Sequence, residues 1–171
     1  MIDAIVYTSN TGSAASYADL LSKDTFLPAY SLKEALNVLP RKSKIIYIGW
    51  TAASKVKGYK KAKKRYQIEA ICAVGLGQNG SQIEIIRKKS SIPSFIPLFT
   101  MQGNFNVKKL HGLYRLLMKI VVRISSKCLL AKKDRTIEED DMLAMMLHGG
   151  ERVKKENLAK MLNWYRNNSK E

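Results

Sequence analysis

Acidic residues, cysteine and histidine are all scarce in this chain, which has 14 Asp or Glu against 30 Lys or Arg, two cysteines and two histidines in 171 residues. Cys72 and Cys128 lie in apolar surroundings without CxxC spacing, and the histidines are not clustered, so neither a zinc site nor a disulfide framework is indicated. A reducing cytoplasm is the expected location, which includes the inner face of the membrane as a peripheral position. Long apolar runs are missing too. The longest uncharged stretch, 90–107, contains Pro93, Pro97, Gln102 and Asn104, which would leave broken backbone in hydrocarbon, so no membrane span is expected. The chain opens on Ile2, Ile5, Val6 and Tyr7 with an acidic Asp3 and no basic region before a long apolar run, so no secretory signal is read there. Internal repeats and low-complexity segments are also absent.

What is present is globular in composition, 46% hydrophobic and 26% charged, with a length that suits a single domain over 1–171 and a sizeable core. The formal charge of +16 favours an anionic partner: a phosphate, a nucleic acid, an acidic protein or a membrane surface. Two segments carry the excess. Residues 41–66 hold ten Lys or Arg and no acid, including Lys55, Lys57, Lys60, Lys61, Lys63, Lys64 and Arg65; residues 101–135 hold nine Lys or Arg against one acid. A solvated helix face is the plain alternative for such a run.

Short apolar runs alternate with helical patterns: Ile2 to Tyr7 then Ser13 to Leu21, Lys44 to Ile48 then Val56 to Arg65, Ile68 to Gly75 then a loop, and Ile96 to Met101 then a long helix. This rhythm predicts βαβ units in an α/β fold, a doubly wound sheet of about five parallel strands with helices on both faces. Residues 25–30 supply a further strand, placed at an edge by Pro28, with Ser31 capping the helix that follows. Ligands are expected where the strand order reverses, in the strand-to-helix loops. Further on, 107–124 predicts a basic amphipathic helix with His111, Arg115, Lys119 and Arg123 in one stripe. Thr136 and Glu139 form a capping-box pattern, and the acidic cluster Glu138 to Asp141 suits the positive end of that helix better than a metal site. Gly149 and Gly150 stop it, and Glu151 to Asn167 reads as a last helix packed on the sheet.

The most informative stretch joins the first strand to the first helix. Thr8, Ser9, Asn10, Thr11, Gly12 and Ser13 form a run of small hydroxyl, amide and glycine residues ahead of a helix N-terminus. Backbone N–H groups there converge with partial positive charge, the hydroxyls add donors, and Gly12 lets the backbone come close. The lysine of a Walker loop is missing, and a single glycine is too few for a dinucleotide turn, so a monophosphate fits best. Simple capping of the helix is the other reading.

This loop resembles the phosphate loop of the flavodoxin family, [ST]-x-[ST]-G-x-[ST], matched by Ser9-Asn10-Thr11-Gly12-Ser13-Ala14 with Ala14 in place of the last hydroxyl and Ala18 as the small helix residue. Leu98 to Leu110, the basic helix with Arg115-Leu-Leu-Met-Lys119, and Gly150 to Leu158 are similar to the branch that contains the flavodoxin-type protoporphyrinogen oxidases. The resemblance implies FMN as cofactor. Its phosphate would sit on the loop, and its ring would lie between the loop after the third strand, with Gly49, Trp50, Thr51, Ala52 and Ala53, and the loop after the fourth, with Gly75, Gly77, Gln78 and Gly80. Trp50 is the stacking candidate, a core aromatic being the alternative; no aromatic occupies 75–80, and Gln102 and Gly103 are weaker candidates for the rim. The implied function is electron transfer or flavin-dependent oxidation, with a porphyrinogen-type substrate as the narrower expectation. The partner would be a redox protein, an acidic one suiting the basic balance, or a quinone. The basic helix 107–124 would meet an anionic membrane. No catalytic set is read: His111 suits a surface stripe and His148 a helix end. The competing expectation is a basic module on the same fold without cofactor, binding nucleic acid or a membrane surface.

Overall fold

Short apolar strands, buried in nearly continuous runs, build the frame. In the computed structural model, which describes residues 1–104 and 112–168, β1 (Ala4–Thr8), β2 (Ala29–Ser31), β3 (Lys44–Ala52), β5 (Gln67–Gly75) and β6 (Leu98–Gln102) form a parallel sheet in the order β2-β1-β3-β5-β6. Apart from β4 (Lys55–Val56), a two-residue strand antiparallel to β3, this is the flavodoxin-like order of a doubly wound fold. β2 is an edge strand, and Pro28 precedes it, where its missing N–H costs no ladder bond.

Both faces of the sheet are covered, which is why β3 and β5 are apolar almost throughout. One face carries Val6, Ile45, Tyr47, Ile71 and Ala73 beneath α2 (Leu32–Val38), α3 (Tyr59–Ala62) and α4 (Ile83–Ser90). The other carries Ile5, Ile46, Ile48, Cys72 and Val74 beneath α1 (Ser13–Thr25) and α7 (Ala159–Asn168). Fully burying an Ile such as Ile46 contributes about 1.5–3 kcal/mol. α5 (Gly112–Ala131) and α6 (Ile137–His148) pack on each other.

Local signals set most helix ends. Ser31 caps α2 through a complete capping box with Glu34, and Thr136 caps α6 through one with Glu139. Gly149 closes α6 at positive φ, with His148 in its last turn. The C-terminal segment packs on the sheet through Leu158, Met161 and Leu162, entering α7 by way of a 3-10 turn over Lys155–Leu158.

Three segments differ from the sequence expectation. β3 does not end at Ile48 but runs to Ala52 and folds back into β4 through Ala53 and Ser54, both at positive φ. That hairpin, with Gly58 at φ +78 just before α3, shortens the helix expected over 56–65 to one turn. The loop after Gly75 is followed by α4, which lacks a side-chain N-cap and starts from Gln82 at positive φ. The first residues of the basic helix, 107–111, with His111, lie outside the described residues; α5 continues it to Ala131. No described helix is long and apolar enough to cross a membrane.

Candidate functional site at the carboxyl edge of the sheet

Parallel register brings the sequence-expected site residues to one edge. Thr8 at the end of β1 pairs with Gly49 of β3, Trp50 with Val74 of β5, and Gly75 with Gln102 of β6. β2 and β3 lie on opposite sides of β1, so the Thr8–Ser13 loop emerges beside the point where the order reverses.

No side chain of the loop caps α1. Gly12 occupies the N-cap position at φ +98, with no side-chain cap, and the first intrahelical bond runs from Ser16 N–H to the Gly12 carbonyl at 2.9 Å. The N–H groups of Ser13, Ala14 and Ala15 therefore have no intrahelical acceptor. Nothing lies within 4 Å of where a Gly12 Cβ would stand, so glycine is required there by the left-handed backbone, not by crowding.

Each hydroxyl has a different assignment. Tyr47 donates its phenolic hydrogen to the Lys57 carbonyl at 2.8 Å, so Thr8 Oγ1, 2.8 Å from the Tyr47 oxygen, is the donor in that second contact. Thr8 is consequently occupied in holding the 57–58 segment against β1, and burial pushes the Tyr47 phenol above its ordinary range. Ser9 Oγ accepts from Gly12 N–H at 3.1 Å, and Ser13 Oγ accepts from Asn104 N–H at 2.9 Å. Both serines keep their own hydrogens to donate. Gly103 tucks under the loop: a Cβ there would come within 3.2 Å of Ser13 Cβ and 2.9 Å of Val74 Cγ1. Ala14 points into the core with Ile5 and Tyr17, which explains an apolar residue where the family pattern has a hydroxyl.

Gly49, Trp50, Thr51 and Ala52 are strand residues, not the loop expected, because the β3–β4 hairpin continues their pairing. Gly49 has a packing reason, since a Cβ would lie 2.6 Å from Val56 Cγ1 and 2.9 Å from the Lys57 carbonyl oxygen. Trp50 is half-buried and belongs to neither core cluster; the Lys57 ammonium lies 5.8 Å from the centre of its ring. Gly75, Gly77, Gln78 and Gly80 end β5 and enter the loop toward α4, where a Gly75 Cβ would lie 2.5 Å from Thr51 Oγ1. Gly80 N–H donates to the Thr100 carbonyl at 3.1 Å, and Gln78 accepts from Ser81 Oγ at 2.7 Å through its backbone oxygen.

A polar brace along β6 was not legible in the sequence. The Tyr17 hydroxyl donates to the Gln102 carbonyl at 2.6 Å and accepts from Asn157 Nδ2 at 2.6 Å. Asn104 Oδ1 accepts from the N–H groups of Arg152 and Val153 at 2.6 and 2.9 Å, and Asn79 joins Asn157 to Gln102 N–H. Arg152 pairs with Asp141 of α6, which also accepts from Gln102 Nε2. These residues are scattered over 140 positions of sequence, and the segment leading into the 3-10 turn, together with the turn, brings Arg152, Val153 and Asn157 to β6.

Among the described residues, no group of three or more His, Cys, Asp or Glu is gathered so as to hold a metal ion. Compared with family models, with curated proteins and with solved structures, the chain gives no match in any of the three.

Proposed function

We propose that the chain is a flavoprotein of flavodoxin type that binds FMN at the Thr8–Ser13 loop and acts in electron transfer or in flavin-dependent oxidation. The observation that carries this reading is the glycine-capped start of α1, with three N–H groups and the Ser9, Thr11 and Ser13 hydroxyls, at the reversal point of the sheet. A dianionic phosphate suits this donor set. The open space beside Gly12 supplies the close backbone approach that a phosphate needs. Trp50, half-buried at the same edge, would stack on the ring, and the backbone groups of 75–80 would meet its polar rim.

When bound, FMN supplies reversible uptake of one or two electrons. This chain's residues would anchor the phosphate, hold Trp50 at the ring and present a basic surface to an electron donor or acceptor. A porphyrinogen-type substrate with a quinone or an acidic redox protein as acceptor is the narrower proposal, motivated by the family likeness of 98–110 and 150–158; residues 105–110 lie outside the described part. The deciding measurement is an absorbance spectrum between 350 and 500 nm after incubation with FMN and desalting. Retained flavin bands and a raised melting temperature are expected; a colourless protein with no thermal shift overturns the proposal. In flavin-loaded protein, turnover of protoporphyrinogen with a quinone tests the narrower form.

A second reading has its own observation. Lys55, Lys57, Lys60, Lys61 and Lys89 line one cavity of about 370 Å³, bringing part of the 41–66 charge together with α4. A cofactor-free nucleic-acid module would use this surface to grip phosphates. Salt-dependent binding of DNA or RNA by flavin-free protein supports it, and absence of binding at low salt removes it.

A further inference from the structure

The face that α5 turns away from the protein is apolar. Leu116, Ile120 and Ile124 recur every fourth residue, with Val121 beside them, and they are 57%, 49%, 58% and 47% exposed. Helical side chains four apart share a stripe, so these four make one continuous band along a helix about 30 Å long. Met118, Val122, Ser125 and Leu129 are half-buried and Ser126 is buried, so the helix already has an inward face, separate from this band. Arg115, Lys119, Arg123 and Lys127, all exposed, form a cationic stripe along one edge of the band, and α5 contains no acidic residue.

We propose that this face of α5 docks in plane on an anionic lipid bilayer. An outward apolar stripe bordered by long cationic side chains is the arrangement an interfacial helix needs: the apolar band enters the acyl boundary while the Lys and Arg heads remain with lipid phosphates. The charge argues against the other occupants. A second copy of the chain would place two sets of four cations against each other across a twofold axis, with no carboxylate on α5 to neutralise them. A nucleic acid would engage the cations and leave the Leu and Ile band in water. The docking does not rest on the flavin reading, because no residue of the Thr8–Ser13 loop contributes to it.

Flavin-free protein co-sedimented with phosphatidylglycerol–phosphatidylcholine vesicles, and with phosphatidylcholine vesicles alone, tests this. Binding to the anionic vesicles, weak binding to the neutral ones and loss at high salt are expected. Each Lys or Arg removed in a Lys119→Gln, Arg123→Gln variant lowers partitioning about fivefold. Ile120→Glu with Ile124→Glu abolishes it, while the melting temperature stays unchanged because both side chains are half exposed. Lys60→Gln with Lys61→Gln, at the other basic surface, leaves it within about twofold. No binding to anionic vesicles overturns the proposal, as does binding that the α5 variants leave intact. A dimer in lipid-free sedimentation velocity that Ile120→Glu dissolves would also overturn it, assigning the band to a second copy.

Discussion

The carboxyl edge of the sheet has two flanks built from the same small polar residues, and they use them in opposite ways. On the β5–β6 flank, Asn79, Gln102, Asn104 and Asn157 are bonded to one another, to Tyr17 and to the backbone of 152–153. On the β1–β3 flank, Thr8 and Thr51 donate their hydroxyl hydrogens within the protein, while Ser9, Ser13 and the first turn of α1 retain donors. A polar side chain at a strand end is therefore ambiguous by type: it is a brace where its partners are protein and, in the proposed function, a binding group where its hydrogen is left over.

Gly58 packs against Thr8 and Tyr47 on the β1–β3 flank, and replacing it breaks the contrast most severely. A Cβ there would lie 2.1 Å from the Tyr47 hydroxyl oxygen and 2.4 Å from Thr8 Oγ1, at φ +78. Gly58→Ala combines left-handed strain with overpacking and is expected to cost about 2–4 kcal/mol. Chemical denaturation measures this. Because Thr8 and the 57–58 segment would separate, FMN affinity should fall as well; a variant as stable as the parent would show that this contact does not organise the loop.

Two substitutions of smaller effect separate brace from binding group. Asn104→Ala leaves the Arg152 and Val153 N–H groups without their acceptor and is expected to cost about 2 kcal/mol, lowering the melting temperature by about 4–8 °C. Flavin affinity should change little, since Ser13 is held by the backbone N–H of residue 104, which the substitution keeps. Thr11→Ala should do the reverse, leaving the melting temperature of the flavin-free protein alone while weakening FMN about tenfold through one lost charge-assisted bond. Titration with FMN and thermal melts of both variants read this out. If Asn104→Ala weakens FMN as much as Thr11→Ala does, the two flanks are one site.

Legibility in the sequence followed the range of the interactions. Doubly buried strands, the edge strand after Pro28, the cap at Ser31 and the box at Thr136–Glu139 are local patterns, and they stand in the structure as expected. The β3–β4 hairpin was hidden because its turn, Ala53–Ser54, adopts positive φ without the Asn or Gly that usually announces it. Gly49, expected beside the ring, also has a packing requirement set by Val56 across that unseen hairpin. α4 escaped because a helix begun by Gln82 at positive φ lacks a recognisable cap. The brace needs Tyr17 to meet Asn157, a contact that no local pattern encodes.

The smallest effect tests a helix end far from either flank's donors. Ser31 accepts from Glu34 N–H at 3.3 Å while Glu34 Oε2 accepts from Ser31 N–H at 2.9 Å. The Ser31 side chain first and the Ser31 N–H second hold the Glu34 carboxyl below its ordinary range. Since the folded state favours the ionised form, this contribution is complete above the ordinary carboxylate range and fades as pH falls through the lowered value. Ser31→Ala should destabilise by about 1 kcal/mol at neutral pH. The gap between parent and variant should then narrow on acidification, because the variant keeps only the residue 31 N–H on the carboxylate and the parent has the larger stabilisation to lose. FMN affinity should not move, as α2 lies on the opposite face from α1. Melts from neutral to acidic pH decide it: a gap that widens toward low pH would mean that Glu34 is not what the cap stabilises.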